Sequence, residues 1–265
     1  MVPFLKVVIN PNYTTGFVVA WEMNPQFNDN FPWMFTVEVA PTPDGEWHEI
    51  SPPLINVFYW AGSPPPLVNK SAVLYFRVRL KTRQGDYVSH VVQPYGDMTK
   101  REFLLAKDMM RREVLAASRM SGVQAKVLMK SNWGERCDEC TDPITGRVRS
   151  SNCPKCIGTG FAHPYHGPYD LWIMWSPDQQ HQVAETPNTG NVEPKKFQVR
   201  AIGNPLLKHN DIIVDVRSGK RYYVNNVAVV SELRRIPIIQ MLALSEAALS
   251  DPAYRLDIDV NQPTT

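Results

Sequence analysis

All four cysteines of the chain fall within one short segment, as Cys137-Asp-Glu-Cys140 and Cys153-Pro-Lys-Cys156, with twelve residues between the pairs. Each pair can present two sulfurs from one tight turn, and a hairpin between the pairs can bring the two turns together. Thiolates at ~2.3 Å suit zinc, and four protein ligands leave no open coordination position. The spacing therefore predicts a structural Zn2+ site with Cys137, Cys140, Cys153 and Cys156 as ligands. Two disulfides are the competing reading, disfavoured because a bridge within CxxC closes a tiny loop and constrains little of the unfolded chain. A redox role calls for a single CxxC beside a βαβ pattern, which the sequence lacks. An iron–sulfur cluster is a further alternative, without a partner electron carrier in the pattern. His163 and His166 follow closely, but with four sulfurs available they read as loop residues.

Other chemistry is sparse. His48, His90, His181 and His209 are scattered, and Asp211, Asp215, Asp257 and Asp259 lack the spacing of a metal-binding loop. The chain has no G-x-S-x-G, no glycine-rich phosphate loop and no HExxH. No enzyme is expected. Arg77, Arg79, Lys81 and Arg83 project from one face of one strand. This row is a candidate surface for phosphates or an acidic partner, and equally a solvated sheet face protected by charge.

The elements that must position these residues are mainly β. The first 95 residues read as short strands between turn signals: Leu5–Ile9, Gly16–Trp21, Trp33–Val39 and Leu74–Arg83, with Asp44-Gly45 as a turn. In the last of these, Leu74, Phe76, Val78 and Leu80 alternate with polar residues, the pattern of a half-buried strand. A sandwich of two sheets is expected. Phe17-Val-Val-Ala-Trp21, Phe35-Thr-Val-Glu-Val39, Asp44-Gly45-Glu-Trp47 and Phe76-Arg-Val-Arg-Leu80 with Gly85 resemble a fibronectin type III domain. The tyrosine-corner position of that family is Leu74 here.

Thr99-Lys-Arg-Glu102 reads as a capping box, with Met98 and Phe103 placed as a hydrophobic staple. The helix that follows sets Phe103, Ala106, Met110, Val114 and Ala117 on one face and Arg101, Lys107, Arg111, Arg112 and Arg119 on the other, stopping at Ser121-Gly122. It reads as a stiff connector of about six turns, at ~3.6 residues per turn. Val123–Lys130 alternates again and leads into the cysteines. Beyond them, Leu171–Trp175, Lys196–Ile202, Asp211–Val216, Arg221–Val224 and Ile236–Leu244 are candidate strands of a small β-barrel, with Ser218-Gly219-Lys220 as a hairpin turn. The expected organisation is a sandwich over 1–95, a connector helix over 96–122, a four-cysteine knuckle over 123–165, a barrel over 166–260 and a disordered tail over 261–265.

Composition limits the function. The 265 residues carry 28 basic and 26 acidic side chains, a formal net charge of +2. That is far from the basic balance of a dedicated duplex-binding protein. The 23 prolines are roughly twice the usual ~5% share and favour turns and sheet edges over helix bundles. No stretch approaches the ~18 uncharged apolar residues of a membrane span. The opening Met-Val-Pro-Phe-Leu-Lys lacks the pattern of a secretory signal, so folding in a cytoplasm is expected.

Cys153-Pro-Lys-Cys-Ile-Gly-Thr-Gly160 is similar to one zinc-domain repeat of the DnaJ-type co-chaperones, but Cys140 is followed by Thr-Asp-Pro, without the glycines, and no J-domain pattern is present. Trp133-Gly-Glu-Arg-Cys-Asp-Glu-Cys140 and Cys153–Phe161 resemble instead a zinc-bearing virion protein of tailed bacteriophages. Asp211-Ile-Ile-Val214, Gly219-Lys-Arg-Tyr-Tyr-Val224, Pro237-Ile-Ile-Gln240 and Asp251-Pro-Ala-Tyr254 resemble the small β-barrel of phage neck or head–tail connector components. The resemblance implies a virion structural protein, assembled in the host cytoplasm as a ring homo-oligomer. Its implied partners are portal or adaptor proteins and tail or neck components, with no membrane and no nucleic acid beyond DNA passing through the channel. A baseplate or tail adaptor, or a zinc-ribbon nucleic-acid adaptor, is the alternative.

Overall fold

A computed structural model describes residues 3–12, 16–27, 32–63, 74–94, 100–142, 145, 147–150, 153–175, 196–234, 236–256 and 258. Met98, Thr99, His181, Asp257, Asp259, the tail over 261–265 and the side chain of Phe103 lie outside them. Among the described residues the fold is mainly β, with a sandwich, one α-helix, a four-cysteine hairpin and a closed barrel.

The N-terminal part contains β1 (Phe4–Asn12), β2 (Gly16–Met23), β3 (Met34–Ala40), β4 (His48–Glu49), β5 (Leu54–Ile55), β6 (Tyr59–Gly62), β7 (Tyr75–Lys81) and β8 (Asp86–Val88). One sheet has the order β1-β2-β6. The other is β4-β3-β7-β8, with β5 also on β3. Alternation along β2, β3 and β7 turns Phe17, Val19, Trp21 and Met23 from one sheet against Phe76, Val78 and Leu80 of β7 and Phe35, Val37 and Val39 of its neighbour β3 from the other. Trp21 and Phe35 meet at 5.2 Å between ring centroids, and both are fully buried. Leu74 joins this core. Face-to-face burial of two sheets is the architecture shared by immunoglobulin-like and fibronectin-like modules.

The helix α1 (Lys100–Ala116) continues into a wider π-type turn over Ala117–Ser121. It lies against the barrel rather than bridging free space: Ala106 and Met110 pack on Ile236 and Ile238, and Val114 packs on the barrel core. The stop at Gly122 is a matter of space, not of a left-handed cap. Gly122 has extended backbone and donates its N–H to the Ala117 carbonyl at 2.7 Å. A Cβ there would lie 2.3 Å from that same oxygen.

The remaining strands are β9 (Val123–Lys130), β10 (Tyr165–Trp175), β11 (Lys196–Ile202), β12 (Ile212–Asp215), β13 (Arg221–Leu233) and β14 (Ile236–Glu246). They close a six-stranded antiparallel barrel in the order β10-β11-β14-β13-β12-β9. Ala125, Val127, Leu171, Ile173, Val199, Val224, Leu242 and Leu244 fill its interior. Two expectations change. Strand β9, grouped on sequence with the knuckle, is a barrel stave pairing with both β10 and β12; its alternating apolar residues face the barrel interior. Strand β13, expected to end at Val224, continues to Leu233 and pairs with β14 as a long hairpin, whose far end is covered by α1 through Leu233, Ile236 and Ile238. No helix among the described residues is long and apolar enough to cross a membrane.

Sandwich and barrel are fastened together. The Asn10 amide makes paired bonds to the Leu206 backbone, donating to its carbonyl and accepting from its N–H, each at 2.9 Å. Val18, on the outer face of β2, packs into the barrel cluster. Tyr59 stacks on His166 of β10 at 4.5 Å.

Candidate metal centre

The cysteine segment is a long insertion between two neighbouring barrel staves, β9 and β10. Its base is closed by Ser131 N–H on the Pro164 carbonyl at 2.9 Å and Ala162 N–H on the Glu135 carbonyl at 2.8 Å. Trp133 anchors it against the sandwich core. Farther out, Cys137 N–H bonds the Gly160 carbonyl and Arg149 N–H bonds the Cys140 carbonyl. Each CxxC forms a turn: Thr141 N–H reaches the Cys137 carbonyl and Ile157 N–H the Cys153 carbonyl. Gly160 has φ +79°, and a Cβ there would sit 2.5 Å from a methyl of Val148, so glycine is needed where the chain leaves the second turn.

These turns bring the four sulfurs together. All four cysteines are buried and unbridged, and their Sγ atoms lie within 4.8 Å of one another. Cys137 and Cys153 are 3.9 Å apart and Cys140 and Cys156 are 3.1 Å apart. Four sulfurs at ~2.3 Å from a tetrahedral metal are ~3.8 Å from each other, whereas a disulfide requires ~2.05 Å. The group is thus a set of four thiols able to hold one metal ion, and its donor chemistry suits zinc.

Electrostatics agree with that use. Backbone N–H groups of Cys156 and Lys155 aimed at Cys153 bring its thiol down to about 7. Burial pushes Cys140 and Cys156 upward. Four thiolates cannot share one dry pocket without a cation to offset them. Around the rim, Lys155 holds the Asp138 carboxyl below its ordinary range, tying one CxxC turn to the other, and the Arg136 guanidinium lies 4.8 Å over the Phe161 ring.

Neither nearby histidine joins the sulfurs. His163 is exposed. His166 is buried between Tyr59 and Tyr169, with Nδ1 2.9 Å from the Tyr169 hydroxyl. Burial, with Lys208 nearby, lowers its imidazole to about 4.

Arg77, Arg79 and Lys81 lie on one face of β7, as its alternation requires, but the strand expected to reach Arg83 ends at Lys81, and Arg83 falls in the turn closed by Thr82 N–H on the Gly85 carbonyl. The Glu38 carboxylate, only 2% exposed, sits 2.5 Å from Arg77 Nε and 2.8 Å from Arg79 Nε. Arg77 also covers the Trp47 ring at 4.1 Å. Lys81 and Arg83 are exposed. Of the scattered candidates, His48, His90 and His209 are exposed, and Asp215 organises the Ser218 turn by accepting from Arg217 N–H and Ser218 Oγ.

Sequence reasoning missed a cavity of about 230 Å³ between the outer face of the β1-β2-β6 sheet, the base of the cysteine hairpin and the barrel. His166, Tyr59, Trp133 and Asp211 line it. The Asp211 oxygens accept Lys130 N–H at 2.8 Å and Lys208 N–H at 2.7 Å, yet burial raises its carboxyl to about 6. These residues come from segments far apart in the chain, so no local pattern could announce them.

No protein-family model matches the chain, and no curated protein matches it.

Proposed function

We propose that the protein is a structural subunit of a tailed-phage virion, a neck or head–tail connector component. It assembles with copies of itself into a ring and joins portal or adaptor proteins to tail components through protein contacts. The observation that carries this reading is the way three small modules are locked into one body. The cysteine hairpin grows from two barrel staves, presses Trp133 onto the sandwich core, and leaves sandwich and barrel tied by Asn10, Val18 and Tyr59. A connector must transmit load without deforming, and such fastening supplies stiffness at modest size. The sequence resemblance of the cysteine segment and of the barrel strands to phage connector components adds the virion context.

In this reading the metal is Zn2+, held by Cys137, Cys140, Cys153 and Cys156, and its role is structural. Four protein ligands leave no position for substrate, and the ion replaces the apolar core that so short a hairpin cannot build. The nucleic-acid adaptor is the weaker alternative because the buried Glu38 already engages Arg77 and Arg79 and offsets one of their two charges.

The test is location and assembly. Particles of the encoding phage, labelled with an antibody to this chain and imaged by negative stain, should show label at the junction of head and tail. Label on the baseplate alone would move the protein to the tail adaptor reading. Particles without the chain would overturn the proposal.

A further inference from the structure

The helix α1 separates its charges. Its acids turn inward or pair locally: Glu102 bridges to Arg234 at 2.9 Å, Glu113 to Arg200 at 2.5 Å, and Asp108 to Arg112 at 2.8 Å. Its cations turn outward. Arg101, Lys107, Arg111 and Arg119 are exposed and make no ion pair among the described residues. Among them stand Leu104 and Leu105, 53% and 51% exposed, and Leu115, 37% exposed.

Positions 104, 108, 111 and 115 follow a spacing of four, three and four, which lines up on the face of the helix opposite Ala106 and Met110. Leu104 and Leu115 stand at the two ends of this stripe, with Arg111 and the Asp108 held by Arg112 between them and Arg101 and Lys107 at its flanks. We infer that this outer face is a docking surface for an acidic amphipathic helix of a partner protein. Leucines of the partner would meet Leu104 and Leu115, and its carboxylates would meet Arg101, Lys107, Arg111 and Arg119.

Other occupants fit less well. Phosphates satisfy the cations but leave the leucines in water. A bilayer needs a broad apolar face, and the broad apolar face of α1 is already spent on Ile236 and Ile238. A second copy of this chain docking through the same face would present the same cations to its twin.

The probe is a synthetic three-heptad peptide with leucine on its seam and glutamate on its flanks, fluorescently labelled and titrated with the metal-replete full chain. Saturable binding is expected, weakened about tenfold by Leu104→Ser with Leu115→Ser, and about tenfold by Arg101→Glu with Arg111→Glu. A peptide of the same composition with the stripe scrambled should bind about tenfold more weakly. Both double variants should keep the parent's metal content and lose only a few degrees of melting midpoint, the cost of substitutions at half-exposed helix positions. The inference is overturned if the variants bind as the parent does, or if the scrambled peptide binds equally. It is also overturned if duplex DNA or phosphatidylglycerol vesicles compete and the leucine variant leaves that competition unchanged. The virion proposal fails separately: a chain absent from particles that still binds the peptide overturns only that proposal.

Discussion

Two buried groups facing the same cavity should oppose each other in the pH dependence of stability. The Asp211 carboxyl is raised to about 6 by burial from an unfolded value of 3.8. A raised carboxyl favours the protonated folded state, so its stabilising contribution is present at low pH and lost as pH rises through 6. The His166 imidazole is lowered to about 4 by burial from 6.5. A neutral buried histidine contributes above 6.5, and that contribution is lost as pH falls toward 4. At 1.36 kcal/mol per pKa unit, the window from pH 5 to 7.5 carries a loss of about 1 kcal/mol through Asp211 and a gain of about 2 kcal/mol through His166. The two oppose each other, so across this range the parent should gain a net of only about 1 kcal/mol as far as the cavity is concerned. Single substitutions should unmask each slope. Relative to the parent, Asp211→Asn should gain about 1 kcal/mol between pH 5 and 7.5, and His166→Phe should lose about 2 kcal/mol. Urea melts of the metal-replete protein at four pH values measure this, and comparison with the parent removes any pH dependence of the metal site. Variants whose profiles run parallel to the parent would refute the reasoning. So would slopes of the opposite sign.

Three further outcomes are expected. Cys140→Ser should abolish stoichiometric zinc in metal analysis and raise hydrogen exchange across residues 137–162, while amides of β12 and β14 keep their protection; unchanged exchange would show that the hairpin folds without metal. Gly122→Ala forces a Cβ to within 2.3 Å of the Ala117 oxygen and should cost about 1–3 kcal/mol in denaturant melts, as overpacking does. Asn10→Ala removes both bonds to Leu206 and should cost about 1–3 kcal/mol, together with faster proteolysis between sandwich and barrel.

Much of this architecture is local enough to be legible in sequence. Alternation in Leu74–Leu80 fixed which face of β7 is buried, because side-chain direction in a strand has period two. The CxxC pairs announced a sulfur site because each turn is self-contained. What sequence could not reveal depends on distant partners. That β9 closes a barrel rests on pairing with β12, more than eighty residues away. That Arg77 and Arg79 share one buried carboxylate rests on Glu38 of the neighbouring strand. The charge separation on α1 becomes visible only once Arg200 and Arg234 are seen to take its glutamates.

The central claim is that this chain is a ring-forming structural subunit. Analytical ultracentrifugation of the metal-replete protein, with negative-stain imaging of the same sample, tests it most directly. The account predicts closed rings whose mass is an integral multiple of the 30.2 kDa chain. A protein that stays monomeric at every concentration tested would contradict it.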